Sequence, residues 1–388
     1  MEFIVRIKRF FRFSVHFFLL TIVAGVVGAF AYAALVPMLS SWSWTSHFSW
    51  PNSPTNGPTV IQRTEQVILS QEEGLERFIG APRSAIVTLL SIPTDKNSRT
   101  ISGSGVKETS GVLVTNDGLV ATYANEMPFV EKRRYTVFFS DGNVSQAKFV
   151  AYDATVNVAY FRTERADTPA IAFANSADVR QGRRFMALAG TSDPDEGKLS
   201  SGYIGERSRA FNLSGKTVSS TDKWEGVFLP DRPLGGEFSG GAAVAMNGEL
   251  IGLIGTLTFD ASERSFIIPA NALRFSLQRV ITGVEPARTP FGAYYVTLTK
   301  ETSRVLGVSH EQGAMIYTPS EKTGLAVIAG SPAEKSGLRF GDIITGVSGR
   351  EINPDWPLSV ALYERLVGSE VVLDVLRGGD SISLRANW

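Results

Sequence analysis

The sequence predicts an all-β protein behind a single N-terminal membrane-spanning helix: a sandwich or a pair of barrels, followed by a smaller β-rich domain with two short helices. Three observations carry this. A basic N-terminus leads into a long apolar run without charge. Short β-branched and aromatic runs then recur, joined by Asn-Gly and Asp-Gly turns. Near the end, Gly330–Ile352 (GSPAEKSGLRFGDIITGVSGREI) alternates caps, turns and one apolar strand at fixed short spacing.

The first element is the span. Met1–Phe13 carries Arg6, Lys8, Arg9 and Arg12 against Glu2, and no Lys, Arg, Asp or Glu occurs from Phe13 to Gln62. The apolar run Phe17–Leu39 is long enough to cross a hydrocarbon core about 30 Å thick at 1.5 Å per residue. Basic residues before it put the N-terminus (1–13) in the cytoplasm, the helix (14–39) in the inner membrane as a signal anchor, and the bulk outside. Trp42, Trp44 and Trp50 suit the far interface. The competing reading is a signal peptide cleaved after Ala31-Tyr32-Ala33, although the run exceeds the usual apolar region of about 7–15 residues. Residues 40–62, rich in Ser, Trp, Pro, Asn and Gly, read as a linker.

Arg63–Ile79 has helical spacing, with Val67, Ile68, Leu75, Phe78 and Ile79 apolar, and Gly80-Ala81-Pro82 is expected to end it. Hairpins follow: Asn116-Asp117-Gly118 separates GVLVT from LVATY, Asp141-Gly142 separates YTVFF from VSQAKFVAY, and Asn247-Gly248 separates AAVAM from ELIGLIG. Dipeptides of this kind favour the positive φ angles of tight hairpin turns. In the last hundred residues Ser331 caps a short helix over Pro332–Ser336 that Gly337 closes. Gly341-Asp342 turns into a strand over Ile343–Val347. Trp356–Leu366 has amphipathic helical spacing, and Val371–Leu376 pairs with Ser381–Arg385 around Gly378-Gly379-Asp380.

Composition removes several function classes. Among 388 residues there are 38 Lys plus Arg, 38 Asp plus Glu and no cysteine. A neutral balance argues against general nucleic-acid binding. Without cysteine there is no disulfide, thiolate metal site or thiol nucleophile. The three histidines are His16, His47 and His310, too scattered for a metal centre, and neither a phosphate loop nor a dinucleotide fingerprint occurs in context. No metal or other cofactor is expected.

The order of the middle segments resembles a known family. GVLVTNDGLVAT (Gly111–Thr122), FFSDGNVSQAKFVAYD (Phe138–Asp153), NVAYFR (Asn157–Arg162), VRQGRRFMALAG (Val179–Gly190), GEFSGGAAVAMNGELIGLIG (Gly236–Gly255) and FIIPAN (Phe266–Asn271) are similar, in sequence and order, to the HtrA/Deg family of exported serine proteases. The resemblance implies a chymotrypsin-like double β-barrel over 63–283, and the Gly330–Ile352 pattern implies a PDZ domain over 286–388. It puts Ser239 at the nucleophile, Asn125 at the histidine, Asn157 at the aspartate and Glu237 at the glycine whose N–H lines the oxyanion hole. Ala242 replaces the usual proline. An amide is no general base near neutrality, and a carboxylate beside the hole opposes a developing oxyanion. No histidine lies between residues 48 and 309. Lys132, the lysine nearest in sequence to the histidine position, lies in the charged run Glu131–Arg134 and would need desolvation to act as a base.

The resemblance also aligns Pro290-Phe291-Gly292-Ala293 with the PDZ carboxylate loop, implying that Phe291, Gly292 and Ala293 bind peptide or protein C-termini by strand addition beside the second helix. Family members commonly trimerise, which implies a homotrimer or a hetero-oligomer with an active relative. The expected function is that of a membrane-anchored pseudoprotease, a scaffold or regulator in envelope protein quality control. An active or conditionally active serine endopeptidase is the alternative.

Overall fold

The computed structural model describes residues 16, 18–29, 31–32, 79–94, 105–124, 133–193, 197–213, 218–259, 262–283, 290–318, 325–365 and 369–387. The chain divides into Met1–Leu69 and Ser70–Trp388. In the first unit residues 18–29 are helical and expose Phe18, Leu20, Val26 and Val27. Among the described residues no helix is long and apolar enough to cross a membrane. The expected span 14–39 extends beyond them on both sides, and the linker 40–62 lies outside them.

In the second unit, the expected helix Arg63–Ile79 lies outside the described residues except for Ile79; residues 79–84, which include Gly80-Ala81-Pro82, are helical. A proline ring fixes a helical φ, removes one donor and is tolerated in the first turn of a helix. Ser84 Oγ and the Ala85 N–H donate back to the carbonyls of Ala81 and Pro82.

Six strands close the first barrel: β1 (Ile86–Pro93), β2 (Lys107–Leu113), β3 (Leu119–Tyr123), β4 (Arg133–Phe139), β5 (Val144–Asp153) and β6 (Val158–Thr163), in the order β1-β2-β3-β6-β5-β4. Six more close the second: β7 (Arg184–Ala189), β8 (Lys198–Asn212), β10 (Glu225–Pro230), β11 (Ala242–Ala245), β12 (Leu250–Phe259) and β13 (Ser262–Pro269), in the order β10-β13-β12-β11-β7-β8. The short β9 (Ser219–Ser220) lies between β8 and β10 in sequence and pairs elsewhere. Asn116-Asp117-Gly118, Asp141-Gly142 and Asn247-Gly248 join β2 to β3, β4 to β5 and β11 to β12, where the sequence places hairpins. Closure removes free strand edges, and inward residues such as Leu113, Val120, Phe161, Phe185, Ile251 and Ile267 form the interiors.

Helix α1 (Ala270–Thr282) follows β13 and packs its Ala270, Ala272 and Leu273 face inward. It ends at Gly283, whose φ of 69° lets its N–H cap the carbonyls of Arg279 and Val280. The C-terminal domain carries β14 (Tyr294–Thr297), α2 (Lys300–Leu306), β15 (Ala314–Ile316), α3 (Pro332–Lys335), β16 (Ile343–Val347), β17 (Arg350–Glu351), α4 (Leu358–Tyr363), β18 (Glu370–Arg377) and β19 (Asp380–Asn387). Ser331 caps α3 through the Glu334 N–H, as its position predicts. The sheet runs β19-β18-β16-β15-β14, with β17 beside β16. Its last member is β9 of the barrel domain, antiparallel to β14.

Two buried carboxylates fasten the domains. Asp153, at the end of β5, accepts from Ser276 Oγ of α1 at 2.8 Å and from the Tyr363 hydroxyl of α4. Glu225, the first residue of β10, accepts from Thr297 Oγ1 at 2.9 Å and from the Tyr295 hydroxyl, both on β14. Arg279 of α1 donates to the carbonyls of Tyr363 and Arg365 and lies 4.2 Å from the centre of the Tyr363 ring.

Glu225 is 1% exposed. Burial pushes its carboxyl from the usual 4.5 up to about 7, against hydrogen bonds from Tyr295, Thr297 and Ser219 that hold it down. The folded chain therefore keeps a proton that the unfolded chain loses. This contribution is fully present below about pH 4.5 and is lost as pH rises through about 7, on the order of 3 kcal/mol in all. Glu225→Gln should abolish it. In denaturant titrations the variant's stability relative to wild type should improve by that order between pH 4.5 and 8, whereas a constant difference would show that Glu225 does not titrate in this window.

Candidate functional site

Ser239 sits where the two barrels face each other. The single turn Gly236–Phe238 leads into it, and its φ and ψ are −60° and 133°. Gly240 follows with φ +78°, and a Cβ there would stand 2.2 Å from the Ser110 carbonyl of the first barrel. Only glycine fits both the angle and the space. Ser239 is 4% exposed, and its Oγ accepts from Thr256 Oγ1 at 3.3 Å.

The backbone here does something the sequence does not announce. The Ser239 N–H donates to the Gly236 carbonyl at 2.9 Å, and the Phe238 N–H donates to the Gly235 carbonyl at 3.0 Å. An oxyanion hole requires N–H groups aimed at empty space where a substrate oxygen gains charge. In this turn the serine's own N–H is already committed. Glu237, exposed at the apex, folds its carboxylate back over Gly235, within 2.4 Å of where a Cβ on that glycine would stand.

The cleft in front of Ser239, about 480 Å³, is lined by Glu108, Thr109, Ser110, Gly190, Lys198, Gly236 and Glu237. Its charges are two carboxylates and one exposed lysine, with no imidazole. Asn157 is half-buried at φ 56°, a left-handed conformation that asparagine tolerates better than most residues. Its Oδ1 accepts from the Tyr152 hydroxyl at 2.7 Å, and its carbonyl accepts from the Ala124 N–H at 2.9 Å. That bond sets Asn157 across from the end of β3. Asn125 and Lys132 lie outside the described residues. Ala242 opens β11 and is fully buried. Among the described residues no cluster of metal-ligating side chains occurs.

The second site is the loop Pro290–Ala293. Gly292 has φ +84°, and a Cβ there would meet Ser331 Cβ at 2.4 Å. Phe291 and Ala293 are buried and hold the loop against α3, where the Ala333 N–H donates to the Phe291 carbonyl at 2.9 Å. The loop's N–H groups do point at a carboxylate, and it belongs to Asp222 of the barrel domain. The Phe291 N–H donates to Asp222 Oδ1 at 2.6 Å and the Gly292 N–H to Oδ2 at 3.1 Å. The Ala293 N–H donates to Thr221 Oγ1 at 3.1 Å, while the Thr221 N–H returns to the Ala293 carbonyl at 3.0 Å. Sequence reasoning misses Ser219–Asp222 because Ser-Ser-Thr-Asp reads locally as a turn, and its partners lie about seventy residues away.

The comparisons with known proteins agree with this architecture. A trypsin-like peptidase domain matches residues 103–253 and a PDZ domain matches residues 300–387. A probable periplasmic serine endoprotease DegP-like of Rhizobium meliloti is 26% identical over 277 residues, covering 70% of this chain and 51% of the relative. The putative serine protease HhoB of Synechocystis is 26% identical over 269 residues, covering 69% of this chain and 63% of the relative. A probable periplasmic serine protease do/HhoA-like of Haemophilus influenzae is 28% identical, covering 70% of this chain and 56% of the relative. The chain thus spans little more than half the length of the curated relatives it matches. The fold is shared with the HtrA-type protease AlgW solved with a tripeptide, at a TM-score of 0.61 and 22% identity over 81% of this chain and 96% of that one. With a decapeptide the same protease gives a TM-score of 0.59 at 20% identity. A closed double barrel with a serine turn between its halves, followed by a PDZ sheet, in the order these relatives share, makes this chain a member of the HtrA/Deg family.

Proposed function

We propose that this chain is a pseudoprotease that works by binding peptide or protein C-termini at its PDZ domain, outside the cytoplasmic membrane, to which residues 14–39 anchor it. The single observation that carries the reading is the Ser239 turn. Its N–H is bonded to the Gly236 carbonyl, and the Ser239 hydroxyl has a threonine rather than an imidazole as its hydrogen-bond neighbour. A serine nucleophile needs a base to take its proton and donors to hold the oxyanion. No histidine exists between residues 48 and 309 to supply the first, and the backbone withholds the second. Losing the serine or the histidine of a triad alone costs about 10⁶ in kcat in subtilisin.

The relatives named as serine proteases favour a second reading, an endopeptidase whose base arrives from another subunit. Periplasmic relatives support the extracytoplasmic location, and peptide complexes of AlgW support peptide binding. Assembly as a homotrimer, or with an active relative, is part of the same proposal and is read from the mass of the purified complex.

The full-length chain treated with a fluorophosphonate should show no Ser239-dependent label and should leave an unfolded protein substrate intact. Robust labelling that disappears in Ser239→Ala would reject the pseudoprotease reading. The turn makes a second, finer prediction. Asn125→His with Asn157→Asp should remain unlabelled, because the Ser239 N–H stays on Gly236. Labelling should require Glu237→Gly in addition, and equal labelling of the double and triple variants would show that the turn is not the barrier.

A further inference from the structure

We infer that Ser219–Asp222 is a built-in ligand of the PDZ groove, a segment of the barrel domain bound as a peptide C-terminus would be, with the Asp222 side chain in the place of a terminal carboxylate. The inference rests on the reading of the Pro290–Ala293 loop and β14 as a peptide groove.

Four features of the contact match ligand binding by strand addition, in which backbone pairing gives affinity and a loop captures the terminal charge. The segment is antiparallel to β14, with Ser219 opposite Tyr295 and Ser220 opposite Tyr294. It runs toward the loop, so the pairing continues through Thr221 to Ala293. It ends in a carboxylate with one oxygen on each of two successive loop N–H groups. It also occupies the edge of β14 that β15 leaves open. Beyond it the chain turns back, with the Lys223 N–H on the Ser220 carbonyl at 3.3 Å and Lys223 Nζ on the Ala154 carbonyl at 2.6 Å. Trp224 then packs edge-on to Tyr363 of α4, ring centres 5.6 Å apart. The groove is therefore filled from within, strand edge and helix side together.

A tethered occupant competes at the millimolar effective concentrations typical of short linkers. An external C-terminus meets a groove that is open only for a fraction of the time, and its apparent affinity falls by that fraction. The two charge-assisted hydrogen bonds of Asp222 set much of that fraction. Any partner must bring a free carboxylate and a β-strand to displace both parts of the internal ligand.

The test uses the full-length chain, which has no native cysteine. Ser220 and Tyr294 face each other between hydrogen-bonded neighbours, a geometry in which Cα atoms lie about 4.5 Å apart and cross-strand disulfides close readily. Ser220→Cys with Tyr294→Cys should cross-link within the chain under oxidised glutathione. The probe is a fluorescent peptide of residues 213–222 amidated at its end, so that its aspartate side chain is its only carboxylate. It should bind Asp222→Asn about tenfold tighter than wild type. It should not bind the oxidised double-cysteine variant, and binding should return on reduction. No cross-link, with a control pair across the β18–β19 hairpin closing normally, overturns the inference. Equal affinity for wild type and Asp222→Asn also overturns it. A cross-link with no peptide bound by any variant overturns the ligand role and leaves a structural joint. None of these readouts involves Ser239, so an active serine would sink the pseudoprotease reading and leave the internal ligand standing.

Discussion

Glu225 begins β10 with its side chain buried, and of the hydroxyls that satisfy it those of Tyr295 and Thr297 belong to β14 and that of Ser219 to β9. A buried acid left without donors costs several kcal/mol, so the two strands must meet. Once Tyr295 and Thr297 are held there, the open edge of β14 lies along the chain that enters β10. The preceding residues have little choice of path: Ser219–Ser220 pair with that edge and Asp222 reaches the loop ahead of it. Asp153 repeats the device at the other end of the interface, through Ser276 and Tyr363. Three carboxylates of the barrel domain are thus satisfied in whole or in part by hydroxyls and N–H groups of the PDZ domain. Hydroxyls and amides are strong donors only in a fixed direction, so these contacts set orientation as well as adhesion.

The same strand links this joint to the serine. β10 runs from Glu225 to Pro230, and a few residues later the Leu234 N–H donates to Ser265 Oγ at 2.8 Å, fixing the approach to the turn. On the far side Gly240 is wedged against the first barrel, its N–H on the Ile254 carbonyl at 2.8 Å. Between two fixed ends the short segment closes on itself as a turn, and that turn consumes the donor at Ser239. On the proposed reading the loss of chemistry is double. Amides in place of the acid and base would remove proton transfer, and the direction of one peptide N–H would weaken the stabilisation of charge. Because both act on the same step, their costs would not add.

Much of the fold is legible in the sequence because its signals are local. Asn-Gly and Asp-Gly turns, the Ser331 cap and the strand Ile343–Val347 each depend on a few adjacent residues, and all stand where the sequence puts them. Gly80-Ala81-Pro82 reads as a stop, yet residues 79–84 are helical, with Ser84 Oγ and the Ala85 N–H bonded back to the carbonyls of Ala81 and Pro82. The chemistry of the candidate site is legible by elimination, since a histidine missing from a whole domain needs no coordinates. Two features are not legible. The turn at Ser239 depends on which carbonyl an N–H selects, a choice made by packing at Gly240 and Leu234 rather than by residue type. The partnership of Asp222 with Phe291 and Gly292 joins segments whose local patterns are complete without each other.

A carboxylate held inside the protein also changes what opening the groove means. Releasing β9 frees Asp222 from two N–H groups and brings water toward Glu225, whose neighbours there are Tyr295, Thr297 and Ser219. Below about pH 4.5 an exposed Glu225 stays protonated and gains nothing by opening. Above about pH 7 the exposed carboxylate ionises fully, and its hydration favours the open state that burial had opposed. Through Glu225 alone, opening therefore becomes easier as pH rises from about 4.5 to about 7, whereas Asp222 holds its two N–H groups best as a carboxylate. Binding and domain separation become one equilibrium, because the residues that fill the groove are the residues that join the domains. A partner that takes the groove draws Thr221–Glu225 away from β14, and through β10 it reaches the segment that leads to Ser239. In this chain the PDZ domain is therefore a clasp before it is a receptor, and its ligand has to undo a contact the protein already makes with itself.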